Sequence, residues 1–258
     1  MIKSYFKGVT LLITHYNRSS SLSRLLAKFE EFGCVFDDIV VSDDGSQEEH
    51  IIRLKSLQNQ FNFRLIKSKS NSGLANNINK GQNAVSTPFT LYVQEDFVPL
   101  PIFKSCFSKA LNLIEKMPNL DIIRLYAYHS YPYLSPLKDG FSEMIFRPCF
   151  WDYNKIYVYS DHPHLRKSDF LQKFGPYQEG LKGDRTEYRM CLNFIQKKGR
   201  GLFYNDYQSV FSQENSEEEP STMTRSKWTQ SDNFFIKTVR FIYRQLRYNY
   251  DILFSKSR

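Results

Sequence analysis

Two acidic pairs stand at the ends of apolar runs. Asp43-Asp44 closes "DIVVSDDGS", and Glu95-Asp96 closes "PFTLYVQEDFVP". A third apolar run, "GVTLLIT" (8–14), feeds directly into "THYNR" (14–18). In open α/β sheets ligands bind outside the carboxyl ends of the strands, where loops converge. A nucleotide needs an acceptor for its base N–H groups, an aromatic face for stacking and a divalent cation for its diphosphate. Asp44, Tyr16 and Asp96 can supply these in turn. Other nucleotide sites are excluded: there is no GxxxxGK[ST], no GxGxxG after the first run, and no GxGTR-type loop.

These residues are useful only if buried strands carry them to one edge. Residues 8–14 are short, apolar and β-branched, the pattern of a fully buried strand. Ser19 to Ser21 offer N-caps, and Leu22, Leu25, Leu26, Phe29 and Phe32 repeat at helical spacing before Gly33, a helix stop. "DIVVSDD" is a second strand. Ser46 and Glu49 form a capping box for a helix whose core face is Ile51, Leu54, Leu57 and Phe61. "FRLIKS", "PFTLYVQ" and "LDIIRLYAY" give three more strands. Between them lie the turn and helix of "SGLANNINKGQNAV" and a helix carrying Phe103, Phe107, Ala110, Leu111 and Ile114. This alternation predicts βαβ units and a mostly parallel sheet with helices on both faces. After residue 130 the pattern lapses into aromatic-rich, irregular sequence. A helix follows at 183–198, then a mobile polar loop, "SQENSEEEPSTMTRS".

The chain has 258 residues, enough for one large α/β domain. No window approaches the roughly 18 apolar residues of a membrane span, and no cleavage site follows residues 8–14. The four cysteines are scattered with no CxxC. The expectation is therefore a cytoplasmic chain with reduced thiols. Net charge is +8, from 35 basic and 27 acidic residues. The tail from 233 to 258 supplies +5 of it, through Lys237, Arg240, Arg244, Arg247, Lys256 and Arg258 against Asp251. Charge confined to the tail argues against nucleic acid as a partner.

The ordered set "VTLLITHYNR", "IVVSDDGS", "SNSGLANNINKG" and "LYVQEDFVPLP" resembles the inverting glycosyltransferases of family 2, the type found in bacterial surface-polysaccharide assembly. The resemblance covers roughly residues 8–205. It implies a GT-A, Rossmann-like fold and a nucleoside-diphosphate sugar as donor. Thr14 and Tyr16 would line the nucleobase pocket, and Asp44 would accept from a uracil-type ring. Asn17 and Asp43 belong to the same donor-binding set. Glu95 would lie near the ribose, and Asp96 would hold Mg²⁺ or Mn²⁺. "QED" departs from the family's D-x-D, with Gln94 where many members carry an acid. One or two carboxylates plus diphosphate oxygens and water still suffice for a hard cation.

Inverting transfer also needs a carboxylate to take the acceptor's proton. The family carries it in an "ED" pair opening a late helix. The matching stretch, "GLKGDRTEYRMCLNFIQKKG", holds Glu187 and Asp184 but no adjacent pair. Spacing back from Gly199 prefers Glu187, with Asp184 in reserve.

Several of these residues have a second reading. Asp43 to Ser46 could form only a capped turn. Glu187 and Asp184 could serve a helix dipole, and Tyr16 could be a buried aromatic. Asn76 and Asn77 could contact donor phosphate or satisfy loop backbone. His162 and His164 could form a metal pair, but no third ligand is evident. Phe235, Val239, Ile242, Leu246 and Leu253 make an apolar stripe, with Arg240, Arg244 and Arg247 roughly opposite. It suits an interfacial membrane helix or a face packed on the catalytic domain.

The expected organisation is a glycosyltransferase domain at 1–210, with a nucleotide-binding half at 1–98 and an acceptor half at 99–210. A mobile loop spans 211–230, and a basic amphipathic helical tail spans 231–258. The acceptor would be a hydroxyl of a glycan or lipid-linked glycan, with the tail touching an anionic membrane. The competing expectation is a catalytically silent relative that binds nucleotide sugar or glycan in the same crevice.

Overall fold

The structure, a computed structural model, describes residues 3–215, Glu219 and 234–255. Its first half runs β1 (Ser4–His15), α1 (Ser19–Glu31), β2 (Cys34–Asp43), α2 (Glu48–Phe61), β3 (Arg64–Lys67), α3 (Leu74–Asn83), β4 (Phe89–Gln94) and β5 (Phe97–Pro99). Then come α4 (Phe103–Lys116), β6 (Ile122–Arg124), β7 (Leu134–Lys138), β8 (Phe141–Met144), β9 (His164–Lys167) and α5 (Phe170–Phe174). The chain continues through α6 (Gly183–Gln196), β10 (Gly201–Tyr204), β11 (Phe211–Gln213) and α7 (Phe234–Phe254).

A nine-stranded sheet has the order β3-β2-β1-β4-β9-β6-β10-β8-β7. The pairings of β1 with β2 and β4, β2 with β3, and β6 with β10 are parallel. Only β9 and β8 run against the common direction. Strand residues alternate between two cores. Leu11, Ile13, Val41, Leu91 and Val93 face α1, α2 and α4. Leu12, Val40, Tyr92, Ile122 and Phe203 face α3, α5, α6 and α7. Helices thus cover both faces, which explains why the parallel strands read as continuous apolar runs.

The structure corrects several local expectations. The fifth strand is only three residues long, and β9 inserts antiparallel between β4 and β6. β9 reads as polar because it carries His164, Arg166 and Lys167. Yet Arg166 is fully buried, satisfied by Gln82 Oε1 and the Tyr177 hydroxyl. The irregular stretch after residue 130 contains the β7–β8 hairpin. The serines do not cap α1; the Glu219 carboxylate accepts from Ser20 N and Ser21 N instead, each at 2.9 Å. The capping box does not form either, because Ser46 turns its hydroxyl to Asp43. Of the expected mobile loop, 211–213 is β11, which pairs with β5. Residues 216–218 and 220–233 lie outside the described residues, as does the side chain of Phe235.

In the tail's apolar stripe, Val239, Ile242, Leu246 and Leu253 do not pack on the domain. α7 docks through Phe241, Gln245, Tyr248 and Ile252, and those four stripe residues face outward. Arg244 lies against the domain, donating to the Tyr153 hydroxyl at 3.0 Å.

Candidate active site

Strand register brings three loops to one edge. Thr14 pairs with Ser42 on one side and Gln94 on the other, and His15 pairs with Asp43. The loops carrying Tyr16, Asp44 and Asp96 therefore start within a residue or two of one another on adjacent strands, as the proposed crevice requires.

The first acidic pair divides its labour. Asp43 is fully buried. Its Oδ1 meets His15 Nδ1 at 2.8 Å and accepts from the Ser46 hydroxyl at 2.5 Å. Its Oδ2 accepts from Gly45 N and Ser46 N. Burial raises its pKa, but the bonds from His15 and Ser46 outweigh burial and hold it below the usual value. With no atom left for a ligand, Asp43 is the turn former. Asp44 binds the next loop: its oxygens accept from Ser72 N and Gly73 N, at 2.9 and 2.8 Å. Burial raises its pKa despite those bonds.

Gly45 sits between them with φ 71°. A Cβ there would lie 2.5 Å from the backbone carbon of Ser70. Strain and a backbone clash act together, so Gly45→Ala is expected to cost about 2–4 kcal/mol. That loss would lower Tm by roughly 5–10 °C in a thermal melt, for a chain this long. An unchanged melt would contradict the turn geometry.

The remaining loop residues mostly support one another. Asn17, at φ 52°, donates its N–H to Ser46 Oγ and accepts from Gln47 N at 2.8 Å, tying the first loop to the second. Asn77 bridges Ser42 and the His15 carbonyl. Asn76 is half-buried and reaches Glu179 at 3.1 Å. Thr14 is buried with its hydroxyl 3.1 Å from that of Tyr92, and Tyr16 is half-buried at the rim.

At the second acidic pair, Glu95 and Asp96 are both buried. Arg18 Nη1 lies 3.2 Å from Asp96 Oδ2 and 3.9 Å from Glu95. Gln213 donates its amide to Asp96 Oδ2 at 2.8 Å. Burial and the Asp96 charge push Glu95 up to about 8, against the pull of Arg18. Asp96 Oδ1 is buried with no partner among the described residues.

Beyond this pair lies Glu187. The Gln94 amide donates to the Asp161 carbonyl at 3.3 Å, and the Asp161 side chain hydrogen-bonds the Glu187 carboxyl. Burial first, and the Glu187 charge second, keep Asp161 protonated well above the usual range. Buried Arg124 feels the Glu187 charge and donates to the Tyr157 carbonyl at 2.6 Å. Asp184, by contrast, is exposed and accepts from Arg185 N at the start of its own helix. His164 is buried, its Nδ1 bonded to the His162 carbonyl, and its ring packs 5.2 Å from Tyr92. His162 lies against Tyr126 and Tyr128, and burial pushes its pKa down to about 3. His164 Nε2 is buried with no partner among the described residues, where no third His, Cys, Asp or Glu joins the two histidines.

A family model described as "Glycosyl transferase family 2" matches residues 10–175, more than half of the chain. The chain belongs to glycosyl transferase family 2. No curated protein sequence matches it. Among solved structures, Staphylococcus aureus TarS 1–349 with UDP-GlcNAc is similar at TM-score 0.64 and 14% identity, covering 94% of this chain and 72% of that one. TarS 1–349 with UDP gives 0.62 and 16%, covering 96% and 72%. The mannosyltransferase PcManGT from Pyrobaculum calidifontis, with GDP-Man and Mn²⁺, gives 0.57 and 13%, covering 97% and 65%. At these identities the likeness is one of fold.

The glycosyltransferase contains two site residues that sequence reasoning passed over. Arg18 was visible as the last residue of "THYNR", but its partners Asn215 and Glu219 lie far along the chain. Asp161 was hidden beside His162. Among the described residues no three His, Cys, Asp or Glu side chains gather into a metal site. The orphaned Oδ1 of Asp96 nevertheless fits a Mg²⁺ or Mn²⁺ ion completed by diphosphate oxygens and water.

Asp161 gives the glycosyltransferase a pH signature. In the unfolded chain an aspartate ionises above about pH 4. In the folded protein Asp161 keeps its proton. The native state then binds more protons than the unfolded state, so this residue's contribution to stability falls as pH rises. Asp161→Asn keeps a donor for Glu187 and has no proton to lose. The Tm difference, variant minus wild type, is expected to grow as pH rises above about 4. A constant margin would contradict the protonated carboxyl.

Proposed function

We propose that the enzyme is an inverting glycosyltransferase, moving a sugar from a nucleoside-diphosphate donor to a hydroxyl of a glycan or lipid-linked acceptor. A uridine donor is favoured, because the TarS structures carry UDP-GlcNAc and UDP; the GDP-Man in PcManGT marks guanosine as the competing base. In this reading Tyr16 offers its ring to the base, and Asp44 accepts from the base with the lone pairs its loop bonds leave. Glu95 would lie near the ribose. Asp96, with Glu95 beside it, would hold Mg²⁺ or Mn²⁺, which when bound offsets charge on the diphosphate leaving group. Asn76 edges the donor site.

Glu187 is the base. It takes the proton of the acceptor hydroxyl as that oxygen attacks the anomeric carbon from the face opposite the diphosphate. The Asp161 carboxyl donates to Glu187 and fixes its orientation. Asp184 faces solvent and takes no part. One observation carries the reading: Asp161 lies between Gln94, the residue before the acid pair, whose amide donates to its backbone carbonyl at 3.3 Å, and Glu187, which its side-chain carboxyl meets. One residue thereby bridges the end of β4 and the proposed base. The enzyme would work at the cytoplasmic face of a membrane on a lipid-linked glycan.

A screen of nucleotide sugars with and without Mn²⁺ tests the proposal. Metal-dependent stabilisation by a UDP-sugar, with slow release of free sugar, is the expected result. Stabilisation without any turnover, whatever the acceptor supplied, would contradict it.

A further inference from the structure

We infer that the outward face of α7 is a docking surface for an anionic lipid bilayer. The helix is fixed in orientation by its inner face. Tyr248 packs 5.0 Å from the Tyr188 ring, and Gln245 donates to the Phe150 carbonyl at 3.1 Å. Gln196 donates to the Ile252 carbonyl at 3.1 Å. That leaves Val239, Ile242, Leu246, Tyr250, Leu253 and Phe254 on the outer side, each between 42% and 67% exposed. Their spacing of three and four residues makes one unbroken stripe along a helix roughly 30 Å long.

An isolated apolar side chain on a surface needs no explanation, but a contiguous stripe of this length does. Charge selects its occupant. The segment 233–258 carries six basic residues and one acid, a net charge of +5; Arg247 remains 47% exposed while it pairs with Asp251 at 3.7 Å, and Arg244 is turned to the domain. A second copy of the chain would bring the same positive charge to the contact. An anionic lipid surface brings the opposite charge, attracting the segment's net positive charge while the stripe enters the headgroup–acyl boundary. Among the described residues no helix is long and apolar enough to cross a membrane, so α7 lies along the surface. The same helix is bonded to the one that carries Glu187: the Tyr188 hydroxyl donates to Asp251 at 2.5 Å. Docking therefore holds the proposed base beside the bilayer, where a lipid-anchored acceptor presents its hydroxyl. This last point rests on the proposed function; the docking itself does not.

Flotation of the full chain with phosphatidylglycerol-containing vesicles and with pure phosphatidylcholine vesicles tests the inference. The wild type is expected to float with the anionic vesicles only. The double variant Leu246→Ser, Leu253→Ser should lose about tenfold or more in partitioning, with an unchanged melting temperature and unchanged donor hydrolysis. Because hydrolysis is read separately, failure of docking and failure of the active-site reading are distinct. Equal flotation of variant and wild type would overturn the inference. So would a wild-type dimer, seen by light scattering, that the variant abolishes.

Discussion

Glu187→Gln is expected to reduce sugar transfer by about 10³-fold while nucleotide affinity stays within a factor of about two, since general-base catalysis contributes roughly 10²–10⁴. Glutamine is nearly isosteric and cannot accept the acceptor's proton. It can still accept the hydrogen bond that Asp161 donates, so the fold around it should persist. The control is Asp184→Asn, on the exposed first turn of α6, for which transfer should remain within about twofold of wild type. Measuring kcat and donor Kd for both variants separates the two carboxylates. If Asp184→Asn lost activity and Glu187→Gln kept it, the assignment would be reversed.

The second large effect is expected at Asp96. Asp96→Asn keeps an oxygen for the Arg18 and Gln213 contacts and removes the charge. Loss of one preorganised electrostatic group at the leaving diphosphate should lower kcat/KM on the order of 10² or more. Mn²⁺-dependent stabilisation by UDP should also disappear in a thermal shift assay. Arg18 complicates the comparison in an informative way. Its guanidinium faces two carboxylates, of which Glu95 is protonated up to about 8, so Asp96 is the anion that balances it. Removing that charge leaves a buried cation poorly compensated, and the variant should also melt below the wild type. An undiminished metal-dependent shift in Asp96→Asn would rule Asp96 out as the cation's ligand.

The features legible in the sequence were those with local physical causes. β1, β2 and β4 are buried on both faces, so they appear as apolar β-branched runs whatever the rest of the chain does. The acid pairs were visible because each interrupts such a run at its carboxyl end. Features fixed by distant partners were not legible. β9 carries a fully buried arginine whose partner Gln82 lies on α3, and nothing near Arg166 in sequence announces it. The cap of α1 comes from Glu219 near the other end of the chain. Asp161 keeps its proton because of Glu187 on α6 and its own burial, neither of which shows in "SDHPH". α7 misleads in the opposite direction. Its leucines face outward, while Arg244, Gln245 and Tyr248 meet the domain, so its helical period was readable but its inward face was not.

The most direct measurement is a crystal structure of the enzyme with UDP and Mn²⁺. The account predicts the uracil against Tyr16 and Asp44, the diphosphate and metal at Asp96, and the Glu187 carboxyl on the far side of the sugar position. Nucleotide bound away from the ends of β1, β2 and β4, or with Asp96 facing no phosphate or metal, would contradict it.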